Sequence, residues 1–305
     1  MATPLVQAAS SGFHDAGAYD AHRPSYTNEA VTAFLGRLNI LGSTVGDGKP
    51  LKIVEIGAGT GKFTEVLSRQ AVASTPALDV VAVEPHEQMR AQLSAKSLPR
   101  VTVVNGHGAS LGSVADGTAD AVIVAQAFHW FANYDALKEI HRVLKPGAIV
   151  GVIWNIEDYN KPAAWPAKAA WEQSLNDIIC SLSSDGSPRF RDGKWQQAFN
   201  DAARSQGKDR PALYSPLADD RVYWTVKLAP EALWKRLLTL SQIANLPETG
   251  ANDAQEAADS TAQPTSRATV RRRFDAVLAR DDVARDANGD VTIHALTFFA
   301  WAQKI

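Results

Sequence analysis

The chain has 305 residues, 45% of them hydrophobic, and sets 31 Lys and Arg against 33 Asp and Glu. That length suffices for one large domain or a domain with a cap, and the balanced charge leaves no broad basic field for nucleic acid or an anionic membrane. No run reaches the roughly 18 uncharged apolar residues of a membrane span. Met1 to Ser11 lacks the basic and apolar regions of a secretion signal, so a cytoplasmic protein with a small-molecule partner is expected, its oligomeric state left open. Cys180, the single cysteine, excludes an intramolecular disulfide and a multi-cysteine metal site, and its apolar neighbours suggest a packed thiol.

In chain order, Ser10 to Tyr26 reads as a lead-in segment. Thr27 is placed to cap a helix carrying Val31, Phe34, Leu35 and Leu38. From Leu51 to Trp154 short apolar runs alternate with amphipathic stretches, the pattern of repeated βαβ units. Five strands are predicted: Leu51 to Ile56, Leu78 to Val83, Val101 to Val104, Ala121 to Val124 and Ala148 to Trp154. Their nearly continuous Val and Ile content is that of a parallel sheet buried on both faces. A helix over Tyr134 to Leu144 presents Leu137, Ile140, Val143 and Leu144 on one side, and Pro146 and Gly147 end it.

Residues 1–154 are thus predicted to form a Rossmann-like α/β core, with 155–305 a cap or elaboration rich in helical patterns such as Trp171, Leu175, Ile178 and Ile179. Thr249 to Arg267 holds almost no large apolar residue, which predicts a mobile insertion at 249–267. A helix beginning near Ala268 has Val270, Phe274, Val277 and Leu278 facing a core, while Arg271, Arg272 and Arg273 read as its solvated face. Val291 to Gln303, β-branched and aromatic, is predicted to return to the sheet as a late antiparallel strand.

Gly57, Gly59 and Gly61 follow the first strand and open a helix, where glycine lets the backbone turn tightly and approach a ligand. The spacing does not fit a phosphate-binding P-loop, because too few residues precede Gly61 and Lys62, and Phe63 follows. A nicotinamide fingerprint fits poorly as well, since Lys62 stands where its third glycine belongs. Glu84 ends the second strand about 20 residues beyond the loop, where a carboxylate meets the ribose hydroxyls of an adenosine.

The stretch from Val54 through Glu55, Gly57, Gly59 and Gly61 to Thr64 resembles the first motif of class I S-adenosylmethionine-dependent methyltransferases. Val83-Glu84-Pro85 with Met89 resembles their second motif, Gln126 to Phe131 the segment after their fourth strand, and His141 to Gly147 their helix-to-fifth-strand turn. Tyr19-Asp20 with Arg23 to Tyr26, and Leu240 to Pro247, are similar to segments of the trans-aconitate methyltransferase-like and fungal small-molecule subgroup. The resemblance covers about Phe13 to Trp154. It implies a seven-stranded, mostly parallel sheet with helices on both faces and a helical cap, binding S-adenosylmethionine at the carboxyl ends of the strands. The cofactor contacts it implies are Glu55, the three glycines, Glu84, Pro85, Met89 and Gln126. Where such proteins carry an acidic pair after the third strand, this chain has Gly106 to Ser110, so the adenine is expected against backbone or His107.

The sulfonium methyl is already activated, so the protein has to align an acceptor and exclude water; no metal is expected. Carboxylate acceptors need no base, whereas hydroxyls and protonated amines do. His129, after the fourth strand, is the candidate base, and Tyr19 and Arg23 are candidates for closing over the cofactor and an anionic acceptor. Methyl transfer to a carboxylate, hydroxyl or amine of a small metabolite is the reading these residues favour. The alternatives are a protein that binds the same cofactor without methylating and, further off, a nicotinamide-dependent oxidoreductase.

Overall fold

The computed structural model of the chain describes residues 16–41, 49–73, 77–182, 186–205, 207, 210–259 and 262–305. Helix α1 spans Ala16–His22. Thr27 then accepts the Ala30 N–H at 3.2 Å and caps α2, Asn28–Arg37, satisfying one of the orphan donors at a helix start. Five strands and three helices follow, with β3 and β4 joined without a helix: β1 Leu51–Ile56, α3 Lys62–Ala73, β2 Leu78–Val83, α4 Glu87–Ala95, β3 Val101–Val104, β4 Ala119–Ala125, α5 Tyr134–Val143 and β5 Leu144–Glu157. The remainder contains α6 Ala170–Ser181, α7 Lys194–Ala202, β6 Ala218–Leu228, α8 Pro230–Leu237, α9 Ser241–Ala244, α10 Asp253–Ala258, α11 Arg267–Leu278 and β7 Val291–Gln303.

The strands form one seven-stranded sheet in the order β3-β2-β1-β4-β5-β7-β6. The pairings among β1 to β5 are parallel, with Ile53 beside Val80, Val54 beside Val122, Val83 beside Val104 and Val122 beside Val150. Strands β1 to β3 fall where the apolar runs place them. Strand β5 begins earlier than predicted, at Leu144, and takes in Pro146 and Gly147. The chain absorbs those residues through a register shift, Ala119 pairing Leu144 but Ala121 pairing Ile149, with Gly147 at φ +73°. Strand β6 was not predicted; its half-buried Val222, Trp224, Val226 and Leu228 alternate with exposed, mostly polar residues, the period of an edge strand covered on one face.

The chain divides into two compact units, 25–155 with 188–222 and 297–305, and 1–24 with 156–187 and 223–296. This differs from a single cut after 154, because β6 and β7 belong to the sheet and their larger-unit residues carry the late sequence with them. The core of the larger unit gathers Phe34, Leu35, Ile53, Ala121, Ile123, Ile153 and Phe299. That of the smaller unit gathers Tyr159, Trp171, Leu175, Trp234, Phe274 and Ile293.

Three local expectations meet different physics. Cys180 is exposed rather than packed, because the buried face of α6 is set by Trp171, Leu175 and Ile179. Arg273 is buried instead of solvated, donating to the carbonyls of Glu256, Asp259 and Ala262. The stretch at 249–267 contains α10 and a polar network: Glu256 accepts from Thr265 N–H at 3.0 Å, and Ser266 donates to Asp253 while capping α11 at the Thr269 N–H. These hydrogen bonds among the described residues are contacts that an apolar count does not register. Among the described residues no helix is long and apolar enough to cross a membrane.

Candidate active site

Beyond Ile56 the chain enters left-handed backbone at Gly57 (φ +70°), Gly59 (+58°) and Gly61 (+93°). The Gly57 and Ala58 N–H groups both reach the Val83 carbonyl, at 2.8 and 3.2 Å, so the loop is tied to the end of β2. A Cβ at Gly57 would lie 2.6 Å from Ala127 Cβ, closer than atoms pack. The glycine therefore serves both torsion and the close approach of the segment after β4. Helix α3 starts directly after the loop, as a nucleoside site of this architecture requires.

Two buried carboxylates back the loop. Glu84, 5% exposed, accepts the Gly59 N–H on Oε2 and the His86 N–H on Oε1, both at 2.8 Å. Burial raises its pKa, opposed by those two amides and by the Arg90 guanidinium, which also donates to the Glu84 and Pro85 carbonyls. Glu55, 1% exposed, is pushed up to about 8 by burial and further by the Glu84 charge. The Thr64 hydroxyl beside it opposes the shift without reaching hydrogen-bond geometry: among the described residues neither Glu55 oxygen nor Thr64 Oγ1 has a hydrogen-bond partner. Such orphaned buried groups cost free energy unless a ligand or proton satisfies them.

At the carboxyl end of β4, Gln126 holds φ +57°, a strained position for a residue with a side chain and one that clusters at functional sites. Its Nε2 donates to the Asn155 carbonyl at 3.1 Å, while Asn155 donates to the Ser25 carbonyl and accepts from Thr297 Oγ1 at 2.7 Å. His129 lies in the 3-10 turn Phe128–Trp130, half-buried, and its Nδ1 accepts the Trp154 indole N–H at 3.1 Å. Trp154 is 1% exposed and is held by Trp195 and Phe190, with ring centroids 4.7 and 5.0 Å away.

The larger unit thus brings together Glu55, Gly57, Gly59, Gly61, Glu84, Met89, Gln126 and His129. Met89 is buried on α4, whose start His86 caps, and its Sδ is 3.9 Å from a Cβ built on Gly59. Pro85 is exposed beside it. His107 is exposed in a tight 107–110 turn closed by reciprocal backbone bonds with Ser110. Arg23 belongs to the smaller unit, where its Nη2 donates to the Thr239 carbonyl at 2.8 Å. Tyr19 is on α1, and its side chain lies outside the described residues. Sequence reasoning did not find Trp154, Asn155 or Arg90; the one available signal was the indole N–H of a buried strand tryptophan, which must find an acceptor.

A glycine-lined turn and an acidic strand end at the carboxyl edge of a largely parallel sheet make this a Rossmann-like enzyme core built for a nucleoside ligand. Residues 54–152 match the family model described as "Methyltransferase domain". An uncharacterized methyltransferase of Mycobacterium tuberculosis is 32% identical over 220 residues, covering 71% of this chain and 71% of that protein. An uncharacterized methyltransferase-like protein of Schizosaccharomyces pombe is 33% identical over 185 residues, 61% of this chain; the match spans 63% of that relative's length. Among solved structures, a protein of Anaeromyxobacter dehalogenans proposed to be a type II methyltransferase superposes with a TM-score of 0.53 at 18% identity, covering 91% of this chain and 97% of that one. The YcgJ protein of Bacillus subtilis gives 0.50 at 15% identity, covering 91% and 99%; these two likenesses establish the fold. The chain belongs to the class I S-adenosylmethionine-dependent methyltransferases.

Proposed function

We propose that the protein transfers the methyl group of S-adenosylmethionine to a carboxylate, hydroxyl or amine of a small metabolite. The observation that carries this reading is the pair of buried carboxylates behind the glycine loop. Each Glu84 oxygen already takes one backbone N–H and has capacity for a second donor, which suits the two ribose hydroxyls. Glu55, buried and without a hydrogen-bond partner among the described residues, suits the ammonium of the amino-acid end. Gln126, held in its strained conformation at the carboxyl end of β4, is assigned to that end as well. Pro85, Met89 and the His107 turn are assigned to the adenosine. When bound, the cofactor supplies an electrophilic methyl carbon; the chain's residues hold it, orient the acceptor and keep water away.

Titration calorimetry with S-adenosylhomocysteine tests this. Wild type is expected to bind, and Glu84→Gln, which removes the charge but leaves one acceptor oxygen, is expected to bind roughly tenfold or more weakly, as loss of a charge-assisted bond implies. Unchanged affinity removes the ribose assignment. Binding of NAD in place of the homocysteine ligand overturns the proposal.

A further inference from the structure

Strand β6 ends the sheet on one side: in the order β3-β2-β1-β4-β5-β7-β6 it has β7 as its one strand neighbour among the described residues. Over Ala218–Leu228, 11 residues, its other edge runs with no strand beside it, and natural proteins cover or protect edges of that length. Asp219, Arg221, Tyr223, Thr225 and Lys227 alternate onto one exposed face. Tyr223 stands in the middle of that face and is 61% exposed, although the Lys168 ammonium lies 5.7 Å from its ring centroid. A carboxylate at Asp219 and an ammonium at Lys227 flank it, equally far along the strand on either side. Val222 and Trp224 are half-buried on the opposite face.

We infer that β6 is a homodimer interface, where a second copy of the chain adds its own β6 antiparallel about a two-fold axis at Tyr223. A two-fold contact sets residue i against j and j against i. With Tyr223 on the axis, Asp219 therefore meets Lys227 of the second copy, and Lys227 meets its Asp219. Tyr223 faces its own counterpart, Arg221 faces Thr225, and on the other face Val222 meets Trp224. Pairs of opposite charge, and of an aromatic with a β-branched residue, are those that stabilise antiparallel ladders. Neighbouring registers lose this match. An axis at Trp224 sets Arg221 against Lys227, two like charges, and an axis at Val222 sets Asp219 against Thr225 and Arg221 against Tyr223. Parallel pairing in register sets Asp219 on Asp219 and Lys227 on Lys227. Within one chain Asp219 reaches Arg221 at 3.4 Å and Lys227 reaches Asp286 at 3.0 Å; such surface pairs are weak and leave both charges able to bind across the axis. The pairing joins the two sheets edge to edge and needs neither cofactor nor acceptor.

Sedimentation equilibrium of the full chain reads the assembly without any ligand. Over roughly 1 to 500 μM, the range of moderate to weak association, wild type is expected to pass from one chain to two. Added salt, which screens exposed charges, is expected to shift it back. Asp219→Lys makes both charge pairs across the axis Lys–Lys, and Lys227→Asp makes both Asp–Asp. Each variant alone is expected to dissociate about tenfold or more readily, the scale of a cross-strand charge pair reversed in sign at two places. Mixed one to one, the two variants bring opposite charges together at both places and are expected to form a heterodimer as stable as the wild-type dimer. The double variant is expected to dimerise by itself. Recovery separates a lost interface from a damaged chain, because loss of the Lys227–Asp286 pair persists in the mixture and in the double variant. A wild type that stays one chain over the whole range overturns the interface. So do single variants that dimerise undiminished, which place the contact on another surface, and a mixture that fails to recover.

Discussion

Within the glycine loop the three positions differ in what they demand. Gly57 combines φ +70° with a Cβ position 2.6 Å from Ala127, whereas Gly59 has φ +58° and only Met89 Sδ at 3.9 Å. Gly59→Ala is expected to cost the left-handed torsion alone, about 1 kcal/mol. Gly57→Ala adds a backbone shift against Ala127 and is expected to cost several-fold more, on the scale of about 2–4 kcal/mol for strain plus overpacking. Urea unfolding of both variants checks the order; equal losses would mean that the Ala127 approach is relaxed at no cost. At this scale the site was legible where chemistry is local in sequence, as in the Gly57 to Gly61 turn and in Glu84 at a strand end. It was not legible where a partner comes from 25 residues away, as Trp154 does for His129, because no spacing rule encodes which strand tryptophan meets which loop histidine.

At the scale of elements, β1 to β3 were readable because buried parallel strands are written as unbroken Val and Ile runs. Strand β6 carries the period-2 pattern of an edge strand, but Asp219, Arg221 and Lys227 on its open face dilute the apolar signal. The described residues of the 249–267 stretch carry polar contacts, which an apolar count does not register. Ser266 caps α11, Asp253 and Glu256 bind Ser266, Thr265 and Thr269, and Arg273 collects three carbonyls. Deletion of 251–266 removes the cap, worth about 1 kcal/mol, and leaves the buried Arg273 guanidinium without its acceptors, which costs more. A clear fall in melting temperature is expected, with Arg273→Met in the same deletion recovering part of it. A melting temperature unchanged by the deletion would show that these bonds contribute nothing to the smaller unit's stability.

For the whole molecule, the raised carboxylates dictate how stability depends on pH. Glu55 has a folded pKa pushed up to about 8 from the ordinary 4.5, so between those values the native state binds a proton that the unfolded chain has released. Stability from this group is therefore complete below the unfolded value and is lost as pH rises through about 8. Glu84 and Glu172, both raised chiefly by burial, act in the same direction. Glu139, lowered first by its bond to Arg142, and Asp220, lowered first by the Arg221 amide, act oppositely and matter on the acid side. The ligand-free protein is thus expected to lose stability on going from pH 6 to pH 8.5, and Glu55→Gln, which cannot ionise, is expected to flatten that decline. Binding of S-adenosylhomocysteine adds its own stabilisation by mass action. If its ammonium meets Glu55, the ion pair favours the charged carboxylate, so the ligand-induced rise in melting temperature should be larger at pH 8.5 than at pH 6 in wild type and pH-independent over that range in Glu55→Gln. Thermal melts of both proteins at the two pH values, with and without saturating ligand, measure this. Parallel pH profiles in wild type and variant would place the titrating group elsewhere and free Glu55 from the cofactor's amino-acid end.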